Sequence, residues 1–542
     1  MAEAESRQDE TTLDALEARR AADDLDGLRG GIGTLPPGDR FDPRAFALRH
    51  ALLPLALPGL DPRPPAAEVR RLEAALNAGQ PEVALSMARA LGTRLPRAAL
   101  PWRAQALALA QLGRLSEARD AYTEALTRAP DHMALYAELA RVLYDMGALD
   151  ELAAPAGAAA EARPDDPQAI RLAAVAAHVR GDRDTARRLF ARLVKLQPTN
   201  GAAHRALSEL THYSDRKDPH IARMQRLAKS GSKGERLTPF EELELHFALG
   251  KAMADLRRPQ EAFRHYAQGN ALKKSSYGLS VDRYQTEAAR LRERLALPEP
   301  GTKIDAACDT PVPILVVGLP RSGTTLAETL LSAHPQVGSA GECTYLRAHL
   351  LSAVMTGTPA PQDFAALRDG YRRALAQASG APFVIDKMPL NFTLLPLVQA
   401  LLPEARVVAL QRDPMALGWS LFRQCFPKGG NGFAYDLNDI AEAQALFAEV
   451  LALQEAEGLP LHRLSYAALT EDPEATLRAA LDFIGLPWDE ACRLPAPRKG
   501  VVATASSMQV RGGIYRGADE DWRAYADHLA PLKERLGALG LL

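Results

Sequence analysis

The sequence predicts an α + α/β chain: an N-terminal all-helical solenoid followed by a parallel-sheet α/β domain. Three observations carry this. Proline and glycine recur at a fixed step of 34 residues through the first part of the chain. From Pro311 onward, short runs of branched apolar residues alternate with helical patterns. The first of those runs opens onto a glycine-rich turn and then a helix.

Residues 1–40 are charged and end in GGIGTLPPGD, which reads as a mobile tail and linker. The repeat array occupies 41–230. Pro96, Pro130, Pro164 and Pro198 keep the 34-residue step, and so do Gly79, Gly113, Gly147 and Gly181. Ala84, Ala118, Leu152 and Ala186 hold the same period, as do Trp102, Tyr136, Ile170 and His204. A helix–turn–helix unit explains the pattern. Glycine permits the tight turn, the small residue after it lets two helices approach, and proline is tolerated only near a helix start. The period resembles that of tetratricopeptide repeats. Such an array presents a concave surface that binds peptides or protein partners. A structural or dimerisation arm is the other reading, so a homodimer stays open.

Residues 231–300 read as a helical cap or connector. Leu245–Arg258 and Gln260–Lys274 repeat the small-residue logic at Gly250 and Ala262, and SDRKDPH and KSGSKGERLTPFEE read as loops. The α/β domain takes 301–542. Its expected strands are Pro313–Gly318, Phe383–Asp386 and Ala405–Gln411, apolar runs of the kind buried in parallel sheets, with His462–Tyr466 as a fourth.

Bulk composition narrows the function. The chain has 542 residues, 47% hydrophobic and 24% charged, which marks a globular protein. A net charge of −2 provides no broad basic field for nucleic acid or a membrane surface, so any anionic ligand needs a local site. Cys308, Cys343, Cys425 and Cys492 are scattered without a CxxC pair, which points to free thiols and no metal centre. The N-terminus lacks the basic and apolar regions of a secretory signal. The apolar stretch Ala45–Leu60 is broken by Arg49, His50 and two prolines and is too short to span a bilayer. A cytoplasmic address is expected.

The segment that carries chemistry is PILVVGLPRSGTTLAETLLSAHP (313–335). A strand runs into Gly318-Leu-Pro-Arg321-Ser322-Gly323-Thr324-Thr325 and a helix, the frame of a phosphate-binding loop. The two glycines let the backbone curl round an oxyanion, and the helix start points N–H groups at it. A triphosphatase would carry lysine after the second glycine; here that place is Thr324, and the cation is Arg321. The loop therefore suits a 5′-phosphate or phosphosulfate better than a magnesium-bound triphosphate. Asp386 is the candidate for a magnesium carboxylate, and Lys387 beside it argues against that.

PRSGTTL resembles the 5′-phosphosulfate loop of sulfotransferases. The match is closer to the tyrosylprotein branch and to bacterial repeat–sulfotransferase fusions than to the small-molecule cytosolic enzymes. The resemblance covers roughly 311–530. It implies 3′-phosphoadenosine-5′-phosphosulfate (PAPS) as sulfonate donor, held by Arg321, Ser322, Gly323, Thr324 and Thr325, with no metal. Glu342 in SAGECTYL, 21 residues past Arg321, stands at the family's base position, and burial would raise such a carboxylate into a useful range. Lys387 in IDKMPLNF matches the lysine that stabilises the transition state. Arg412 and Ser420, eight residues apart, match the pair that holds the 3′-phosphate. Tyr466 matches a nucleotide contact. In TASSMQVRGGIYRGADEDWRAY, Ser506 would assist the transition state, and Ser507, Gln509, Val510 and Arg511 would line the donor.

The sequence departs from the pattern in three places. The acid expected after Tyr466 is replaced by Ala467 and Ala468. An arginine often found twelve residues after the first is Gln424, with Arg423 adjacent. The lysine before the last tryptophan is Asp521, with Arg516 or Arg523 as substitutes. DFIGLPWD is familiar from the same family and reads as structural.

The acceptor is left open. A peptide or protein hydroxyl, tyrosine included, is the first reading, with the repeats helping to present it. For tyrosine, Arg347, Arg423 and Lys428 are the basic residues at hand for neighbouring acids. A carbohydrate or small-molecule acceptor is the second. A nucleotide-dependent kinase is disfavoured by Thr324. A repeat scaffold with an inactive domain is disfavoured because Arg321, Glu342, Lys387, Arg412 and Ser420 occur together.

Overall fold

The computed structural model describes residues 13–21, 65–130, 132–146, 148–230, 237–282, 285–286, 311–351, 361–426, 431–458, 460–493 and 519–542. The chain forms two compact units, Met1–Pro198 and Thr199–Leu542. Among the described residues no helix is long and apolar enough to cross a membrane.

In the first unit, paired helices follow the 34-residue step: Pro81–Arg94, Ala99–Gln111, Leu115–Arg128 and Met133–Asp145, then Ala153–Ala162, Pro167–Arg180 and Arg183–Leu196. Gly79, Gly113 and Gly181 turn between helices at φ of 67°, 72° and 84°, the left-handed region where a side chain is strained. Gly147 lies outside the described residues. Ala84, Ala118, Leu152 and Ala186 are buried where helices meet. Side chains also bind one repeat to the next. Arg128 Nε donates to Pro96 O (2.7 Å) while its guanidinium lies over the Trp102 ring, and Arg103 pairs with Glu138. The expected mobile tail contains a helix, Leu13–Ala21, with Leu16 fully buried.

The second unit begins earlier than the boundaries at 230 and 300 read from the sequence. Helices Gly201–Leu210, Pro219–Ser230, Pro239–Asp255 and Pro259–Tyr277 all belong to it. The reason is polar anchoring as well as apolar packing. Asn270 Nδ2 donates to Phe422 O (2.8 Å) and Lys273 Nζ to Phe426 O (3.1 Å), both buried, while Phe263 stacks on Phe422. A side chain on Gly250 would come within 2.8 Å of the Tyr266 ring, so the small residue expected there is needed for the helix pair to close. The segment PFEE, read as loop, is helical. Thr238 and Glu241 form a reciprocal capping box that starts the helix.

Five parallel strands make one sheet in the order β2-β3-β1-β4-β5: β1 Val312–Val317, β2 Val337–Ser339, β3 Phe383–Asp386, β4 Arg406–Gln411 and β5 Leu461–Ser465. The four strands expected from sequence are all present. The short edge strand β2 was not anticipated. Chain order reverses between β1 and β4, which opens a crevice outside their carboxyl ends, where α/β sheets bind ligands.

Candidate active site

Arg321, Glu342, Lys387, Arg412 and Tyr466 all follow the carboxyl ends of the strands. The loop after β1 carries Arg321 in a left-handed conformation (φ 72°) and Gly323 at φ 105°. Gly323 caps the helix Thr324–Leu331, whose first two threonines are buried. A Cβ on Gly323 would lie 2.4 Å from Tyr466 Cδ2, and one on Gly318 would lie 2.7 Å from Ser322 Oγ. Both glycines are needed for backbone freedom and for room. Ser322 Oγ is buried with no hydrogen-bond partner. A buried hydroxyl without a partner costs free energy unless a ligand satisfies it.

Three guanidiniums converge beside this loop. Arg321 Nε donates to Ser420 Oγ (3.2 Å). Arg412, at the end of β4, donates from Nη1 to Arg321 O (2.8 Å) and lies 4.6 Å over the Tyr466 ring. Burial, together with repulsion from Arg423 and Arg412, pushes the Arg321 guanidinium down to about 9. Cations crowded to this degree are relieved by an anion between them. The sequence thus brought Arg321, Arg412, Ser420 and Tyr466 into one cluster, and Arg423 joins it, whereas the Gln424 side chain donates to its neighbour's carbonyl, Cys425 O (3.5 Å).

The second cluster lies across the ends of β2 and β3. Lys387 Nζ donates to Glu342 Oε1 (2.6 Å), and the backbone locks the two loops together through Lys387 N to Gly341 O (2.8 Å). Lys387 is 1% exposed, whereas 43% of the Glu342 side chain is exposed. The burial expected for that carboxylate is absent; an ammonium partner stands in its place. Sequence reasoning missed Glu328, on the helix after the loop. It is 4% exposed, lies 3.9 Å from Lys387 Nζ, and accepts from Ser339 Oγ (2.5 Å).

Asp386 faces inward, accepting from Tyr371 Oη (2.8 Å) and Asn391 Nδ2 (3.3 Å), so it serves the core beneath Lys387. Burial pushes its carboxyl up to about 7, with Tyr371 opposing. Between about pH 4 and pH 7 the folded protein therefore holds a proton that the unfolded chain releases. The contribution of this group to stability is greatest on the acid side and declines as pH rises through that window. Against wild type, the melting temperature of Asp386→Asn should fall less steeply as pH rises across that interval. Parallel slopes would mean the carboxyl titrates lower.

Ser506, Ser507, Gln509, Val510 and Arg511 lie outside the described residues, as do Arg516 and Lys428. Asp521, where the family has lysine, pairs with Arg423 (3.4 Å), and Arg523 turns to the exposed Glu520. Arg347 Nη1 donates to Leu390 O (3.2 Å) and Thr393 Oγ1 (3.3 Å), bracing the segment after Lys387.

Residues 313–490 match the family model described as Sulfotransferase family, and residues 99–132 match Tetratricopeptide repeat. The second unit carries a sulfotransferase-family domain. An uncharacterized protein of Aquifex aeolicus (strain VF5) is 34% identical over 246 residues, 41% of this chain and 32% of its own length. A putative protein-tyrosine sulfotransferase of Caenorhabditis briggsae is 25% identical over 194 residues, 33% of this chain and 66% of its own length. The chain thus spans less than two thirds of the length of either relative. Among solved structures, the sulfotransferase domain from the Synechococcus PCC 7002 olefin synthase is 19% identical, with a TM-score of 0.26 over 41% of this chain and 96% of that one.

Within this domain, Gly323→Ala is expected to keep the fold and, if the loop holds adenosine 3′,5′-bisphosphate, to weaken that binding at least about tenfold, because the new methyl and Tyr466 cannot both keep their places. Calorimetric titration beside a thermal melt checks it. Unchanged affinity would show that the loop does not contact the nucleotide.

Proposed function

We propose that the second unit transfers sulfonate from PAPS to an acceptor hydroxyl. The observation that carries this is the pairing of two clusters along one sheet edge: Arg321, Arg412 and Arg423 around a glycine cradle, and the Lys387–Glu342 couple beside it. The unsatisfied Ser322 hydroxyl and the crowded guanidiniums fit a ligand with two separate anionic groups. In this reading the loop 318–325 and Arg321 hold the 5′-phosphosulfate. Arg412 and Ser420 hold the 3′-phosphate, and Tyr466 backs the nucleotide. Arginine's forked donors suit phosphate.

When bound, the donor supplies the sulfonate. Glu342 accepts the proton from the acceptor hydroxyl as that oxygen forms its bond to sulfur. Lys387 neutralises charge on the phosphate oxygen from which sulfur departs, leaving adenosine 3′,5′-bisphosphate. The half-exposed Glu342 is reachable by an acceptor, and the buried Lys387 is fixed for its task. Ser506 assists the departing charge, and Ser507, Gln509, Val510 and Arg511 complete the donor site.

A peptide or protein acceptor, tyrosine included, is favoured by the likeness to relatives named protein-tyrosine sulfotransferases. The repeat array is assigned to a protein partner.

Calorimetric titration with adenosine 3′,5′-bisphosphate, against ATP and AMP and without magnesium, tests the donor. Tight binding of the bisphosphate alone is expected. A preference for ATP, or no binding by folded protein, would return the domain to the kinase or scaffold readings.

A further inference from the structure

The arginine proposed for the 3′-phosphate already has an anionic partner. Arg412 Nε donates to Asp519 Oδ1 at 2.6 Å, with the arginine side chain 6% exposed and the aspartate 24% exposed. Two residues on, Asp521 Oδ2 accepts from Arg423 Nη2 at 3.4 Å. Glu520, between them, points the other way and pairs with the exposed Arg523. Alternate acids of one short stretch therefore meet two of the three guanidiniums that converge on the loop.

We propose that Asp519 sets the affinity of the donor site: its carboxylate is the resting counter-ion of Arg412, and a nucleotide 3′-phosphate has to displace it. This rests on the sulfotransferase reading above. A phosphate and a carboxylate cannot press on one guanidinium fork without mutual repulsion, so one leaves as the other arrives. The pairing energy of the resting contact is subtracted from that of every ligand bearing a 3′-phosphate. AMP lacks that group and escapes the competition. Donor and spent bisphosphate both carry it, so Asp519 weakens hold on both and hastens product departure. The charge reversal at Asp521 acts in the same sense on Arg423, over a longer contact.

The test is calorimetric titration of the full chain and of Asp519→Asn and Asp521→Asn, each with adenosine 3′,5′-bisphosphate and with AMP. Asp519→Asn is expected to bind the bisphosphate about five- to tenfold tighter, with AMP unchanged, and Asp521→Asn to gain less. A thermal melt confirms that each variant is folded, and Asp519→Ser replaces the asparagine variant should that one unfold. Equal or weaker bisphosphate binding by the folded variant overturns the proposal. So does an equal gain for AMP, which would make Asp519 a determinant of loop shape. If folded wild-type protein and variant alike ignore the bisphosphate, the sulfotransferase reading itself fails, a result separable from the other two.

Discussion

On the proposed reading, Glu342→Ala is expected to lower sulfonate turnover on an acidic tyrosine peptide by about a thousandfold, in the range lost when a positioned proton acceptor is removed. Affinity for adenosine 3′,5′-bisphosphate stays within about twofold. The separation follows from geometry, since Glu342 pairs with Lys387 and the guanidiniums form their own cluster around Arg321. Lys387→Ala gives a comparable loss of turnover but differs in stability. Removing Glu342 leaves Lys387 with Glu328 within 3.9 Å. Removing Lys387 takes that ammonium from Glu328, 4% exposed, and breaking a buried ion pair by removing one partner costs about 3–5 kcal/mol. The lysine variant should therefore melt several degrees below wild type and the glutamate variant should not. Full turnover by Glu342→Ala would place the base elsewhere.

On the same reading, Arg412→Ala is expected to weaken binding of adenosine 3′,5′-bisphosphate by about 30- to 150-fold, the equivalent of roughly 2–3 kcal/mol for a charge-assisted contact. AMP binding changes far less. Arg412 also donates to Arg321 O, so part of any loss comes from slackening the loop. Comparing the two nucleotides separates these contributions, because only the bisphosphate carries the group assigned to Arg412. An equal loss for both would make Arg412 a loop support and leave the 3′-phosphate without an assigned partner.

Much of this arrangement was legible in the chain. Gly79, Gly113 and Gly181 announced turns because a left-handed backbone admits few other residues. The apolar runs of β1, β3 and β4 announced buried parallel strands because each is flanked by helical patterns. Strand β2 escaped notice because Val337–Ser339 is too short to show periodicity, and its pairing with β3 supplies what local sequence does not. The unit boundary at Pro198 escaped because contacts such as Asn270 to Phe422, 152 residues apart, have no local signature. The loop and its cations could be read from motif and resemblance. The carboxylates of Glu328 and Asp519 could not, since only the folded chain brings them to Lys387 and Arg412.

The tight fit of Gly323 against Tyr466 has a consequence for descent. A lineage that acquires any side chain at position 323 must first shrink or relocate the ring at 466, and a lineage that keeps the ring is confined to glycine. The two positions, 143 residues apart in the chain, are expected to drift together. A collection of related chains should contain glycine with an aromatic ring, or a larger residue with a small one, and very few of the mixed pairs.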